Sequence, residues 1–158
     1  MPVWLVAALL AFVVGSFAEY WGHRLMHLWL KRAKHVQHHQ SAVGQGFLRE
    51  FLGYTRGSWP LLLTGFVCSL EAGVGFAAGA LLYSAFAAYA HELQHEHPEC
   101  CFWLIRPVHH IHHCERMWNH NFGITSDVWD RVFGTYRHVN YQRPARGSWR
   151  NLFRVKWC

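Results

Sequence analysis

The sequence predicts an all-α membrane protein whose chemistry is concentrated at one end of its helices. Three observations predict it. The 158 residues are 52% hydrophobic and only 15% charged, a balance that suits lipid better than water. Residues 1–23 and 57–103 contain no Lys or Arg, and all fifteen basic residues fall in the two remaining blocks, 24–56 and 104–158. Histidines recur at helical spacing: His23 and His27 are followed by His35, His38 and His39, and His91 and His95 by His109, His112 and His113. Each group is a pair at i, i+4 and then a triplet at i, i+3, i+4, positions that share one helix face.

Residues 2–21 form about twenty positions with a single acid, Glu19, enough at about 1.5 Å per residue to cross a hydrocarbon core of about 30 Å. No basic n-region precedes the apolar run, so a transmembrane helix is expected over 1–22 rather than a cleaved signal peptide. Arg24, Lys31, Arg32 and Lys34 follow, which by the positive-inside rule puts the N-terminus outside and His23 onward in the cytoplasm. Trp21 falls at the expected interface.

The first histidine boxes occupy residues 23–39, where the first helix is expected to project from the bilayer. Residues 41–59, rich in Gly and aromatics, read as an interfacial connector without chemistry. Residues 60–90 are apolar but too long for one straight crossing, so a transmembrane hairpin breaking near Glu71, Gly73 and Gly75 is expected. That hairpin brings the second boxes, in 91–137, to the same side as the first. Residues 138–158 read as a basic, surface-associated or loosely ordered tail. The chain is taken as a single membrane domain, 1–158.

Ten imidazoles on two tethered segments point to metal. They exceed what one ion accepts, whereas two ions would receive about five each. Imidazole suits iron, zinc, copper or nickel, and six-coordinate iron would keep an open position. Glu92, Asn121 and Asp130 are the candidates to orient ligands from behind. His97, His110, His120 and His138 are expected to stand outside the ligand set. The five cysteines are odd in number, with no two-residue spacer between any pair, so neither a disulfide framework nor a zinc ribbon follows. A net charge of +6 beside apolar spans fits anionic headgroups better than nucleic acid, and no nucleic-acid partner is expected.

The boxes HRLMH, HVQHH, HELQH and HHIHH, followed by NHNFGITSDVWDRVFGT, resemble the fatty acid hydroxylase and sterol desaturase superfamily of membrane di-iron oxygenases. The resemblance implies a helical membrane bundle with a cytosolic histidine-rich dimetal cap. It also implies a ligand set of His23, His27, His35, His38, His39, His91, His95, His109, His112 and His113. Two irons, with zinc as a possible substitute, and O2 as co-substrate follow from it, as does hydroxylation or desaturation of a fatty acyl chain or sterol drawn from the bilayer. The matched stretch carries no haem-binding segment, so the expected electron donor is a separate ferredoxin- or cytochrome-type protein with its reductase. The implied location is a bacterial inner membrane or an ER-type membrane. A catalytically silent metal-binding membrane protein and a metal transporter are the alternatives; transport would require ligands at bilayer depth.

Overall fold

A computed structural model describes residues 1–30, 33–145 and 147–158, with side chains 30–34 excluded. Lys31 and Arg32, invoked above for membrane orientation, therefore lie outside the described residues, as does the side chain of Lys34. The described residues are helical and contain no strand. Helix α1 spans Val3–Leu25 and passes into a π-helical turn at Met26–Leu30; α2 is Ala33–Ser41, α3 Phe47–Leu62, α4 Leu70–Glu96, α5 Val108–Cys114 and α6 Val128–Val132.

Two helices are long and apolar enough to cross a membrane, Val3–Trp29 and Leu70–Glu96. They run parallel. Trp4 meets Gly75, Ala8 meets Gly79, and the ring of Phe12 meets Tyr83 edge-on at 5.6 Å. The contact depends on small residues: a Cβ on Gly79 would lie 2.7 Å from the Ala8 Cα, so only glycine lets the backbones approach this closely. Leu9, Leu10, Val13, Val74 and Leu82 face outward instead. In water that apolar surface would be a liability; in a bilayer it is the solvated face.

The chain reverses between α3 and α4, with its turn displaced from the expected position. The chain reverses through Thr64–Val67, and α4 begins at Leu70 under an N-cap in which Ser69 accepts from the Ala72 amide at 3.0 Å. Gly73 and Gly75, expected to break the helix, lie inside α4 and serve close packing. Glu71 sits in the first turn of α4, exposed, with an oxygen 3.4 Å from the Trp4 amide.

Residues 47–62, expected as a surface connector and the start of the hairpin, form α3 antiparallel to α4. At 16 residues, α3 is about 24 Å long, short of a full crossing.

The tail is also more ordered than expected. Val155 is buried with Leu93, Cys101 and Leu104, Tyr89 donates its hydroxyl to the Leu152 carbonyl at 2.9 Å, and the Phe47 amide donates to the Lys156 carbonyl at 2.8 Å. The tail thereby fastens the start of α3 to the end of α4. Parallel packing of α1 and α4 then places both histidine-bearing ends together, remote from the turn at residues 64–69.

Candidate metal centre

Two sets of four imidazoles converge beyond the apolar parts of α1 and α4. His23, His27, His35 and His39 form one, and His38, His95, His109 and His113 the other, with ligand atoms within 4.8 Å of one another in each set. The π-helical turn carries His27, the kind of local rewinding that re-aims a side chain at a functional site. Triplet spacing divides α2 between the sets: His35 and His39, one turn apart, serve the first, and His38 turns to the second.

The first set is joined by His112, whose Nε2 lies 3.2 Å from His27 Nε2 and 3.3 Å from His39 Nε2. His23 Nε2 is 3.1 Å and His35 Nε2 2.9 Å from the same His27 atom. In the second set, His95 Nε2 is 3.2 Å from His109 Nε2. The rings of His39 and His113 stack at 4.0 Å and link the two sets.

The opposite ring nitrogens explain why the Nε2 atoms face one another. His23 Nδ1 donates to the Phe122 carbonyl at 2.6 Å, His112 Nδ1 to the His120 carbonyl at 2.7 Å, and His95 Nδ1 to the Ala42 carbonyl at 3.0 Å. A neutral imidazole that donates through Nδ1 has only a lone pair on Nε2. Lone pairs held about 3 Å apart repel unless a cation lies between them, and ligands on a common ion at about 2.1 Å have this separation. Both ring nitrogens of His38 and of His113, and Nδ1 of His27 and of His109, are buried without a hydrogen-bond partner among the described residues. The donor sets fit metal.

Burial also holds these rings neutral. It lowers His35 to about 3, with His27 adding to the effect, and His38 to about 4, with His91 next in weight. His39 falls to about 2 through burial and then His112; His112 falls to about 3 through burial, partly offset by the His120 carbonyl. His109 and His113 are lowered for the same leading reason. Neutral imidazole is the ligating form.

A strap over residues 120–125 supplies two of the carbonyls, and carboxylates hold it. Asp130, fully buried, accepts from the Phe122 amide at 2.9 Å, the Gly123 amide at 2.7 Å and the Thr135 hydroxyl at 2.7 Å. Glu19 accepts from the amides of Ile124 and Thr125 at 2.8 and 3.1 Å and from the Tyr83 hydroxyl at 2.6 Å. Gln94 donates to the Ile124 carbonyl at 2.7 Å and accepts from the His109 amide at 3.0 Å. Asn121 spends its side-chain hydrogen bonds on Met117 and Arg137, clamping Arg137 at both backbone atoms.

The tenth ligand-set residue, His91, lies against the second set, its ring 5.0 Å from that of His38 and 4.7 Å from that of His95. It is 4.5 Å from that of His109, and Nδ1 faces Glu92 and Glu50, each 3.5 Å away. Of the others, His110 donates through Nδ1 to the Gln94 carbonyl, His97 lies by Glu99, His120 serves through its carbonyl and His138 is exposed. Sequence reading missed Glu50, Gln94 and Trp118, whose ring meets His27 edge-on at 4.6 Å. Glu50 left one signal, being the sole acid between Glu19 and Glu71.

Two apolar helices capped by paired polyhistidine sets define a helical membrane protein able to hold metal ions. The family model for fatty acid hydroxylases matches residues 8–135, most of the chain, and the protein belongs to that family. Neither the curated proteins nor the solved structures gave a match.

Proposed function

We propose that the protein is an O2-dependent di-iron oxidoreductase that hydroxylates or desaturates a membrane lipid. The observation that carries this reading is the meeting, at one end of two apolar helices, of two separate imidazole sets. Family membership adds lipid as the substrate class.

The first ion would be held by His23, His27, His35, His39 and His112, the second by His38, His95, His109 and His113 with His91, whose ring packs against three of them. Bound iron would supply activation of O2 against an unactivated C–H bond, which no side chain can attack unaided. In hydroxylation, one oxygen atom enters the C–H bond and the other leaves as water, consuming two electrons and two protons. A separate one-electron carrier protein of ferredoxin or cytochrome type, with its reductase, would supply the electrons.

The chain's own part is positional. Carbonyls of Ala42, His120 and Phe122 fix three imidazoles in the Nδ1–H tautomer and aim Nε2 inward. Glu19 and Asp130 keep the strap from yielding when ligands are drawn together. Burial keeps protons off the rings. Collection of the ligands at the last turns of the two apolar helices and on the segments that follow favours an enzyme over a transporter, whose ligands would line the crossing. In this reading the N-terminus is outside and the boxes cytoplasmic.

Lipid mass spectrometry of cells with and without the protein tests the proposal. One lipid class should gain one oxygen atom, or lose two hydrogens for desaturation. An unchanged lipid profile in cells whose protein carries iron and is supplied with a working electron donor would overturn it.

A further inference from the structure

An open pocket of about 480 Å³ lies beside the first histidine set, walled by the turn that follows α5 and by residues 137–139. The turn closes α5 in a Schellman motif: the Met117 amide donates to the His112 carbonyl at 2.9 Å and the Arg116 amide to the His113 carbonyl at 3.2 Å. Arg116 holds the left-handed position of that motif at φ 49°, where glycine is the unstrained choice. Asn121, also left-handed at φ 59°, joins the two walls by clamping the Arg137 backbone at 2.8 and 3.0 Å. Both arginines are exposed. Between this rim and the metal-binding rings stands Trp118, 38% exposed, its ring 4.6 Å from that of His27 and 5.8 Å from that of His39.

Contacts along α1 put the pocket on the water side. Ser16 meets Trp129, Glu19 the amides of Ile124 and Thr125, His23 the Phe122 carbonyl, and His27 the ring of Trp118. Trp129, with Val128 and Val132 exposed beside it, marks the apolar boundary. From Ser16 to His27 the helix advances about 16 Å, whereas the headgroup layer of one leaflet is about 5–8 Å deep. The rim therefore faces a soluble partner rather than lipid.

We propose that this rim docks an acidic one-electron carrier protein, and that Trp118 is the contact through which its electron reaches the first histidine set. The inference rests on the oxygenase reading, which needs electrons from outside the chain. The transfer moves one electron and no atoms: the carrier is oxidised by one electron and one bound metal ion is reduced by one. Arg116, Arg137, His120 and His138 stand against the single carboxylate of Glu115, so a carboxylate-rich face is attracted and a basic one repelled. Arg116 also gains a reason for its strained backbone, since the turn alone would be better served by glycine.

Binding of an acidic plant-type 2Fe–2S ferredoxin to the zinc-loaded full chain in phosphatidylcholine nanodiscs tests the docking surface. Affinity should fall about tenfold or more between about 50 and about 500 mM salt. At the lower salt the Arg116→Glu/Arg137→Glu double variant should bind about tenfold more weakly, with the wild-type zinc content reporting that it is folded. In the iron-loaded protein, Trp118→Leu should slow oxidation of reduced ferredoxin at saturating concentration; an unchanged rate overturns the route through Trp118. Absence of salt-sensitive binding to wild type, or equal affinity in the double variant, overturns the docking surface. So does a deficit that vanishes in discs containing phosphatidylserine, which would assign the rim to headgroups. None of these results bears on the oxygenase reading, which is decided separately by the lipid profile.

Discussion

His23 and Phe122, ninety-nine positions apart, are joined by a 2.6 Å hydrogen bond from the imidazole Nδ1 to the backbone carbonyl. The bond ties the end of α1 to the strap that follows the last histidine box, and Asp130 holds that strap by the neighbouring amides. Asp130→Ala should therefore act at a distance. Two buried amides would lose their acceptor, a cost of about 1–3 kcal/mol each. With the Phe122 carbonyl loosened, metal affinity at the His23 set should fall about 10–100-fold. Thermal unfolding and metal titration check both effects, and unchanged metal affinity in a destabilised variant would make Asp130 purely structural.

Removing ligands should separate the histidines by role. His112→Ala deletes the Nε2 shared by His27 and His39, and His38→Ala deletes a ring with both nitrogens unpartnered. Each should abolish activity and lower bound metal by about one ion per chain. His138→Ala, at an exposed position, should do neither. Elemental analysis beside lipid turnover reads the difference; equal losses from all three would invalidate the ligand sets.

Much of this centre was legible because imidazoles on a helix face leave a periodic trace. The pair-plus-triplet pattern marked every histidine that the structure gathers into the two sets. Its carbonyl acceptors left none, since Ala42, His120 and Phe122 act through backbone atoms that any residue possesses. The hairpin turn was misplaced for a related reason: Gly73 and Gly75 look like breakers in one dimension, whereas close helix approach is visible only in three. Glu50 was overlooked because its segment is glycine-rich and aromatic, and its partners His91 and Glu92 lie forty residues further along.

Acid should destabilise the metal-free protein, and the sign follows from the lowered imidazoles. His35, His38, His39 and His112 sit at about 3, 4, 2 and 3 when folded, whereas an unfolded histidine takes up its proton near about 6.5. Between those values the unfolded chain binds more protons, so stability rises with pH. The contribution is complete above about pH 6.5 and is lost as pH falls toward the folded values. Denaturant unfolding of metal-stripped protein from pH 7.5 down to 4.5 checks this, and greater stability at the acidic end would contradict neutral, buried rings.

Metal retention should extend lower in pH than it does for exposed histidines. Protons compete with metal only where they bind the ligands, and these rings resist protonation well below about 6.5. Dialysis of the loaded protein at pH 5.5 should leave its metal in place, while an unstructured polyhistidine tag releases most of its own. Parallel release from both would show that burial does not protect the sites.

The seam between α1 and α4 sets how the two ligand-bearing ends meet. A Cβ on Gly79 would press on the Ala8 backbone, which unlike a flexible side chain cannot swing aside. Gly79→Ala should cost about 1–3 kcal/mol through overpacking, and Gly79→Leu more. Because the helices are parallel, forcing them apart there should also separate Tyr83 from Glu19 and release the strap above them. Lower melting temperature together with weaker metal binding is the expected pair of readouts. A Gly79→Leu variant that kept wild-type stability and metal affinity would mean that the helix seam does not govern assembly of the centre.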